Sequence, residues 1–384
     1  MRIAIVSDAW RPQINGVVTT LEQTSEAARR LGHEILLISA AGLACVPCPS
    51  YPEIRLALCP GPSVRARLQR FAPEAIHIAT EGPLGLAARA YCMRRRLPFT
   101  SSYHTQFPDY AHQRWGVPTG LGYAYLRWFH RPALRTLVGT ASVRASLQAR
   151  GFEHLVAWSR GVDTRMFRPD ASARQAAAAR WPRPIMLYAG RVAVEKNIDA
   201  FLELRTPGTK VVVGDGPALV DLQRRYPDAV FLGYRMGAQL AQHLAGADVL
   251  VFPSRTDTFG IVMLEAMACG VPVAAYPVQG PLDVVRDGTS GVLHEQLLTA
   301  IRGALQLESA SCRAFAQLHT WERSTRQFLG HLAVLHERSR RAYRATGSVG
   351  EIRSGSAAGY LPFDCRVDRS AVEKRQTPIE IVGA

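Results

Sequence analysis

The stretch ADVLVFPSRTDTFGIVMLEAMACGVPVAAY (247–276) decides how this chain folds. VLVF and PVAAY are apolar runs of strand length. Between them lie a polar turn after Pro253 and an apolar segment, IVMLEAMACG, which Phe259 and Gly260 open as a helix and Gly270 closes. Strands buried on both faces and joined by a helical crossover are the unit of a parallel sheet. Two acids break the apolar character: Asp257, just ahead of the helix, and Glu265, about one turn inside it. Either alone has a bland reading, a helix cap at Asp257 and a helix-dipole partner at Glu265. Together they are offset along the helix and reach different parts of one extended ligand. Carboxylates accept hydrogen bonds from hydroxyls, which come in pairs on sugar rings.

Outward from this stretch the same alternation continues. A series starts at PIMLYAG (184–190) and runs through a helix at 196–205, the strand KVVVG, the turn GDGP, the helix ALVDLQRRY, the strand AVFLG and the helix AQLAQHLAG. An earlier series opens with the strand RIAIVSDAW, the loop RPQINGVV, a helix stopped by Gly32 and the strand HEILLIS. It continues through EAIHIAT, FTSSYHT and TLVGTA with helices between. The restart at 184 indicates two doubly wound α/β domains in tandem, 1–165 and 184–320. Residues 321–344 read as one long, amphipathic, cationic helix. Residues 345–384 show no period and are expected to form a poorly ordered tail.

The 384 residues are 47% hydrophobic and 20% charged, ordinary globular values. No apolar run approaches the ~20 residues of a membrane span. MRIAIVSDAW is too briefly apolar for a signal peptide, and Asp8 interrupts it, so an intracellular protein is expected. Seven scattered cysteines do not suggest a disulfide framework, and Cys45, Cys48 and Cys59 lack a fourth metal ligand at suitable spacing, so CVPC reads as a plain loop. The net charge of +15 is carried almost wholly by arginine, since Lys196, Lys210 and Lys374 are the only lysines. That charge suits a phosphorylated small molecule or an anionic membrane surface. No zinc-finger spacing or aromatic-interleaved basic motif points to nucleic acid, and no G-x-G-x-x-G follows the first strand, against a dinucleotide enzyme.

Ligands of open α/β domains sit at the carboxyl ends of strands, and unusual residues collect there. Gly16, after the first strand, lets backbone approach a ligand. His104 ends FTSSYHT. Arg191 and Lys196, five apart across a strand-to-helix turn, can converge on one anion such as a diphosphate.

With its supporting segments, SRTDTFGIVMLEAMACGVPVAA resembles the signature of the retaining glycosyltransferases of family 4, which have the GT-B fold of two facing Rossmann-like domains. RPQINGVV, IHIATEGPLG, SYHTQFPDY, RGVDTRMF, YAGRVAVEKN, VVVGDGP and ADVLVFPS match in order over roughly residues 1–330. The wording is nearest to the branch of mannosyltransferases and sulfoquinovosyl- or glucuronosyl-diacylglycerol synthases. The resemblance implies that Gly16 approaches the donor diphosphate and that His104 faces the donor hexose. By the same token Arg191 and Lys196 hold the diphosphate, and Asp257 binds hydroxyls of the transferred sugar. Phe259, Gly260 and Ile261 offer backbone amides, Glu265 takes the ribose hydroxyls, and Tyr234 and Arg235 meet the nucleobase. The family motif has glutamate at both acidic positions, and here the first is Asp257, a shorter reach.

The expected reaction moves a hexose from a nucleoside-diphosphate sugar to an acceptor hydroxyl with retention of configuration. No Asp-x-Asp triplet occurs, so fixed cations replace a metal ion and no cofactor is expected. The first half is rich in arginine (Arg65, Arg67, Arg70, Arg94, Arg95, Arg96, Arg127, Arg131 and Arg135), and YAYLRWFHRP mixes aromatics with cations. Both suit a lipid acceptor such as diacylglycerol or a glycolipid, and a cytoplasmic protein in peripheral contact with the inner face of the membrane. The alternatives are a same-fold enzyme acting on a soluble sugar or sugar phosphate, or a nucleotide-sugar epimerase.

Overall fold

The computed structural model describes residues 1–11, 13, 15–48 and 51–335. Eight strands occupy the N-terminal lobe: β1 Arg2–Val6, β2 Glu34–Ile38, β3 Cys45–Cys48, β4 Tyr51–Ala57, β5 Ala75–Ile78, β6 Thr100–Tyr103, β7 Arg135–Val138 and β8 Leu155–Ala157. Six occupy the C-terminal lobe: β9 Ile185–Ala189, β10 Thr209–Val213, β11 Val230–Gly233, β12 Val249–Phe252, β13 Val273–Ala275 and β14 Gly291–Leu293. The first lobe's main sheet has the order β2-β1-β5-β6-β7-β8 and the second β11-β10-β9-β12-β13-β14, with parallel pairing throughout.

Both sheets are covered on both faces, which is why their strands are continuously apolar. Along β1, Ile3 and Ile5 pack into one cluster and Ala4 and Val6 into another. Along β9, Ile185, Leu187 and Ala189 face one side while Met186 and Tyr188 face the other. The strand order reverses between β1 and β5 in one lobe and between β9 and β12 in the other. These reversals open the crevices in which such sheets bind ligands.

Four local expectations change. CVPC is not a plain loop: it is β3, paired antiparallel with β4, and Pro47 is tolerated because a two-stranded ribbon consists of edges. The helix expected over 196–205 is a 3-10 turn, Val194–Lys196, followed by the short helix Asp199–Leu202. Between them Asn197 takes a left-handed conformation (φ 54°) and its side chain donates to the carbonyl of Pro253. The first helix starts at Gly16, not beyond it, because the Asn15 carboxamide accepts from the amides of Val17 and Val18. The helix expected over 321–344 is described as Trp321–His331, and residues 336–384, the tail included, lie outside the described residues.

That helix buries Trp321, Ser324, Thr325 and Phe328, the spacing of one helical face. It packs on the helix Gly16–Arg30 of the first lobe, with the Phe328 ring 5.0 Å from Trp158 and 4.9 Å from His77. The chain therefore returns to the N-terminal lobe after completing the C-terminal one. Among the described residues no helix is long and apolar enough to cross a membrane.

Candidate active site

The segments after β9 and β12 meet at the C-terminal lobe's strand-order reversal. Gly190 and Val192, after β9, donate backbone hydrogen bonds to Val213, at the end of β10, and to Asp215 of the GDGP turn that follows it. The two turns touch so closely that a Cβ on Gly214 would lie 1.8 Å from the Gly190 carbonyl oxygen, and one on Gly216 2.3 Å from that of Val192. This contact fixes the loop that carries Arg191 and Lys196. Tyr188 also holds it, donating its hydroxyl to the Arg191 carbonyl at 2.7 Å.

Lys196 and Asp257 meet directly, with Nζ 2.5 Å from Oδ1 and side chains 17% and 18% exposed. Burial pulls the Lys196 ammonium down, but Asp257, with Tyr110 and Tyr188, outweighs it and holds the lysine well above its ordinary range. The loops also join through Thr256, whose hydroxyl donates to the Glu195 carbonyl.

Beyond Asp257 the chain turns into the helix Ile261–Ala268 through Gly260 (φ 79°). A side chain there would strike Phe252 and Met263, so the turn requires glycine. The amides of Phe259, Gly260, Ile261 and Val262 have no hydrogen-bond acceptor among the described residues. Open amides at a helix start attract anions. Glu265, one turn on, is half-buried and has no hydrogen-bond or ion-pair partner among the described residues; burial pushes its carboxyl up to about 7. Tyr234 and Arg235 follow β11, two strands from β9. Arg235 donates to the Tyr234 carbonyl, and burial raises the Tyr234 hydroxyl against the opposing charge of Arg11 in the other lobe. No group of three or more His, Cys, Asp or Glu is placed to hold a metal ion among the described residues.

The N-terminal lobe closes on this wall. A Cβ on Gly16 would meet only Ile261 Cδ1, at 3.8 Å, so Gly16 lies opposite the helix start with room to spare. Thr258 donates its hydroxyl to the His104 carbonyl at 2.7 Å, Tyr110 donates to the Thr256 carbonyl, and Gln106 donates to Gln279. Both ring nitrogens of His104 contact protein atoms, Ser102 Oγ and Arg160 Nη2. Sequence reasoning missed Arg160 and Thr258 as site residues; both stand inside quoted motifs, RGVDTRMF and SRTDTFG. It also passed over Asp8, whose carboxylate accepts from Thr80 Oγ1 and from the Leu84 and Gly85 amides, capping the helix Pro83–Arg95 at the first lobe's own reversal.

Two facing Rossmann-like lobes define the GT-B class of glycosyltransferases. An Anabaena protein, Alr3699/HepE, solved with UDP and glucose, superposes with a TM-score of 0.66 over 86% of this chain and 98% of its own at 17% identity, a likeness of fold. A family model described as "Glycosyltransferase Family 4" matches residues 14–166, and one described as "Glycosyl transferases group 1" matches residues 183–306. The GDP-mannose-dependent alpha-mannosyltransferase of Mycobacterium tuberculosis (strain CDC 1551 / Oshkosh) is 33% identical over 317 residues, 76% of this chain and 83% of that protein. The sulfoquinovosyl transferase SQD2 of Arabidopsis thaliana is 28% identical over 83% of this chain and 66% of its own. The chain belongs to glycosyltransferase family 4, and it is an enzyme of that class.

Proposed function

We propose that the chain moves a hexose, with retention of configuration, from a nucleoside-diphosphate sugar to a hydroxyl of a membrane lipid such as diacylglycerol or a glycolipid. One observation carries the donor half: a single wall of the cleft combines the cations Arg191 and Lys196, four open amides at Phe259–Val262 and an unpartnered carboxylate at Glu265. A diphosphate fits the cations and amides, which stabilise the charge left on the departing phosphate. Hexose hydroxyls fall to Asp257, ribose hydroxyls to Glu265 and the nucleobase to Tyr234 and Arg235, with Gly16 and His104 closing from the other lobe. Lys196 is charged before the donor arrives and does the work of a metal ion. Asp257, tied to Lys196, is a poor nucleophile, so a front-face substitution is favoured, in which the acceptor proton passes to the departing phosphate oxygen.

The acceptor half rests on the helix Thr119–His130. Leu121 is 68% and Trp128 51% exposed, Tyr125 is exposed beside them, and the Arg89 guanidinium stacks 4.0 Å over the Trp128 ring. Arg127 and Arg131 flank them. Exposed aromatics among arginines match a membrane interface rich in anionic lipid, and peripheral contact with the inner face of the cell membrane follows.

The test supplies UDP- and GDP-hexoses, with a chelator present, to the full chain with diacylglycerol vesicles or with soluble sugars and sugar phosphates. Expected is a glycolipid of the donor's anomeric configuration, with Lys196→Ala slowed roughly 100-fold. Transfer to a soluble sugar alone overturns the lipid reading, and an inverted product overturns the stereochemistry.

A further inference from the structure

The segment leaving β8 toward the second lobe buries a cation on its way. Arg160 is 4% exposed. Its Nη1 donates to the carbonyls of Trp158 at 2.5 Å and Ser159 at 3.3 Å, and its Nη2 lies 3.1 Å from His104 Nδ1. The guanidinium stacks on the Trp158 ring at 4.4 Å and approaches that of Phe259, from the other lobe, at 5.9 Å. No carboxylate pairs with it among the described residues; burial alone lowers its pKa, to about 9. A desolvated cation with only neutral partners is unfavourable, and an apolar side chain would fill the space more stably. Stability therefore does not account for an arginine here.

Its geometry has one chemical consequence. Arginine donates and never accepts, so His104 Nδ1 must present its lone pair and the ring proton must sit on Nε2. Nε2–H then donates to Ser102 Oγ at 2.8 Å, and that hydroxyl lies 3.1 Å from His77 Nε2. The titratable groups facing His104 are Arg160, His77 and His130, with no acid among them. Burial first, and then the Arg160 charge, hold the imidazole well below the ordinary histidine range. The edge of the ring packs on Trp158, with centroids 5.6 Å apart, while the His104 carbonyl accepts from Thr258 beside Phe259.

We propose that Arg160 is a positioning residue for glycosyl transfer: it locks His104 in the neutral Nε2–H tautomer and so fixes the loop bearing His104 against the Thr258–Phe259 turn of the donor site. The inference rests on the reading of the cleft as the reaction site. It makes His104 a fixed wall, not a general base, because both ring nitrogens are spent on protein groups.

The test measures kcat at saturating nucleotide sugar for the wild type, Arg160→Met and Arg160→Lys. The wild type is expected to be flat between about pH 8 and about pH 5.5, since His104 stays neutral throughout. Arg160→Met removes both donor and charge at similar volume; burial still keeps His104 neutral, but its ring proton is free to sit on Nδ1 and its loop to shift, so kcat drops roughly tenfold at every pH while donor KM at each pH stays near the wild-type value. Arg160→Lys retains a charged donor and restores most of the lost kcat. Independently, imidazole nitrogen shifts of the histidine-labelled full chain, assigned through loss of the signal in His104→Asn, should place the proton on Nε2. A proton on Nδ1 in the wild type, or equal kcat for the wild type and Arg160→Met, overturns the proposal. Absence of transfer by the wild type refutes the reading of the cleft, while the tautomer still decides the contact on which Arg160's part depends.

Discussion

Glu265 has neither a donor nor a counterion among the described residues, so its proton answers to whatever binds beside it. Its carboxyl is raised from 4.5 to about 7 by burial. The sign follows from linkage: between these values the folded chain holds a proton that the unfolded chain has released, so stability falls as pH rises through the window and levels off above it. Glu265→Gln removes that slope and stabilises the protein at pH 8 by about 2 kcal/mol, allowing for partial exposure. Hydroxyls donated by a ribose favour the ionised form, so nucleotide-sugar affinity should rise about tenfold from pH 6 to pH 8 in the wild type and not in Glu265→Gln. Calorimetric titration of both proteins decides this; equal pH dependence in the two sinks the assignment. The spacing of Asp257 and Glu265 was legible because both lie on one short strand-to-helix segment. The Lys196–Asp257 contact was not, since it joins residues 61 apart from different crossovers, and no local pattern records which turns will touch. His104 shows the same limit: its place at a strand end was visible, but the partners of its ring were not.

At the scale of elements, the GDGP turn is a buttress. Gly214 (φ 151°) lets β10's exit press on the loop after β9, backbone to backbone. Gly214→Ala puts a methyl where the Gly190 carbonyl stands, which must move the loop bearing Arg191 and Lys196. The expected cost is about 2 kcal/mol of stability, together with weaker nucleotide-sugar binding. Gly42→Ala is the control: its φ is 77°, but nothing lies within 4 Å, so it should lose about 1 kcal/mol and no binding. Denaturant titration and calorimetry separate the two variants, and unchanged affinity in Gly214→Ala removes the buttress. The sequence signalled this turn through glycine and proline. It misled at 196–205, where Ile198, Phe201 and Leu202 have helical spacing but Asn197 leaves the helical region to bind the Pro253 carbonyl. It misled at CVPC too, because proline argues against a central strand but not against a ribbon.

Over the whole molecule, the repeated alternation made the two sheets legible, while the destination of the last helix was hidden: an amphipathic pattern tells that a face is buried, not against what. That helix makes the lobes share two crossings. Val162 donates to the His319 carbonyl at 2.9 Å, and Ser159 and Gln327 bond beside it. The facing surfaces otherwise meet through scattered hydrogen bonds, such as that of Thr140 with Thr258 and the two that Ser142 donates to Asp283 from its amide and hydroxyl, rather than through a shared apolar core. Lobes joined in this way are expected to move relative to one another, and the crossings become the pivot. Gly161 stands where they touch: a Cβ there would lie 2.3 Å from the Trp321 amide nitrogen and 2.5 Å from the Thr320 carbonyl carbon. Both are backbone atoms that cannot rotate aside, so Gly161→Ala must part the strands and tilt one lobe against the other. Arg191, Lys196, Asp257 and Glu265 all lie on the C-terminal lobe, so donor affinity should change less than about twofold. Transfer needs groups from both lobes in register, and a misplacement near 1 Å is enough to lower kcat by roughly 100-fold. Steady-state kinetics beside calorimetric donor binding measures the split. Affinity and kcat falling together would instead mean that the substitution had damaged the C-terminal lobe itself, and the crossings would lose their role as a pivot.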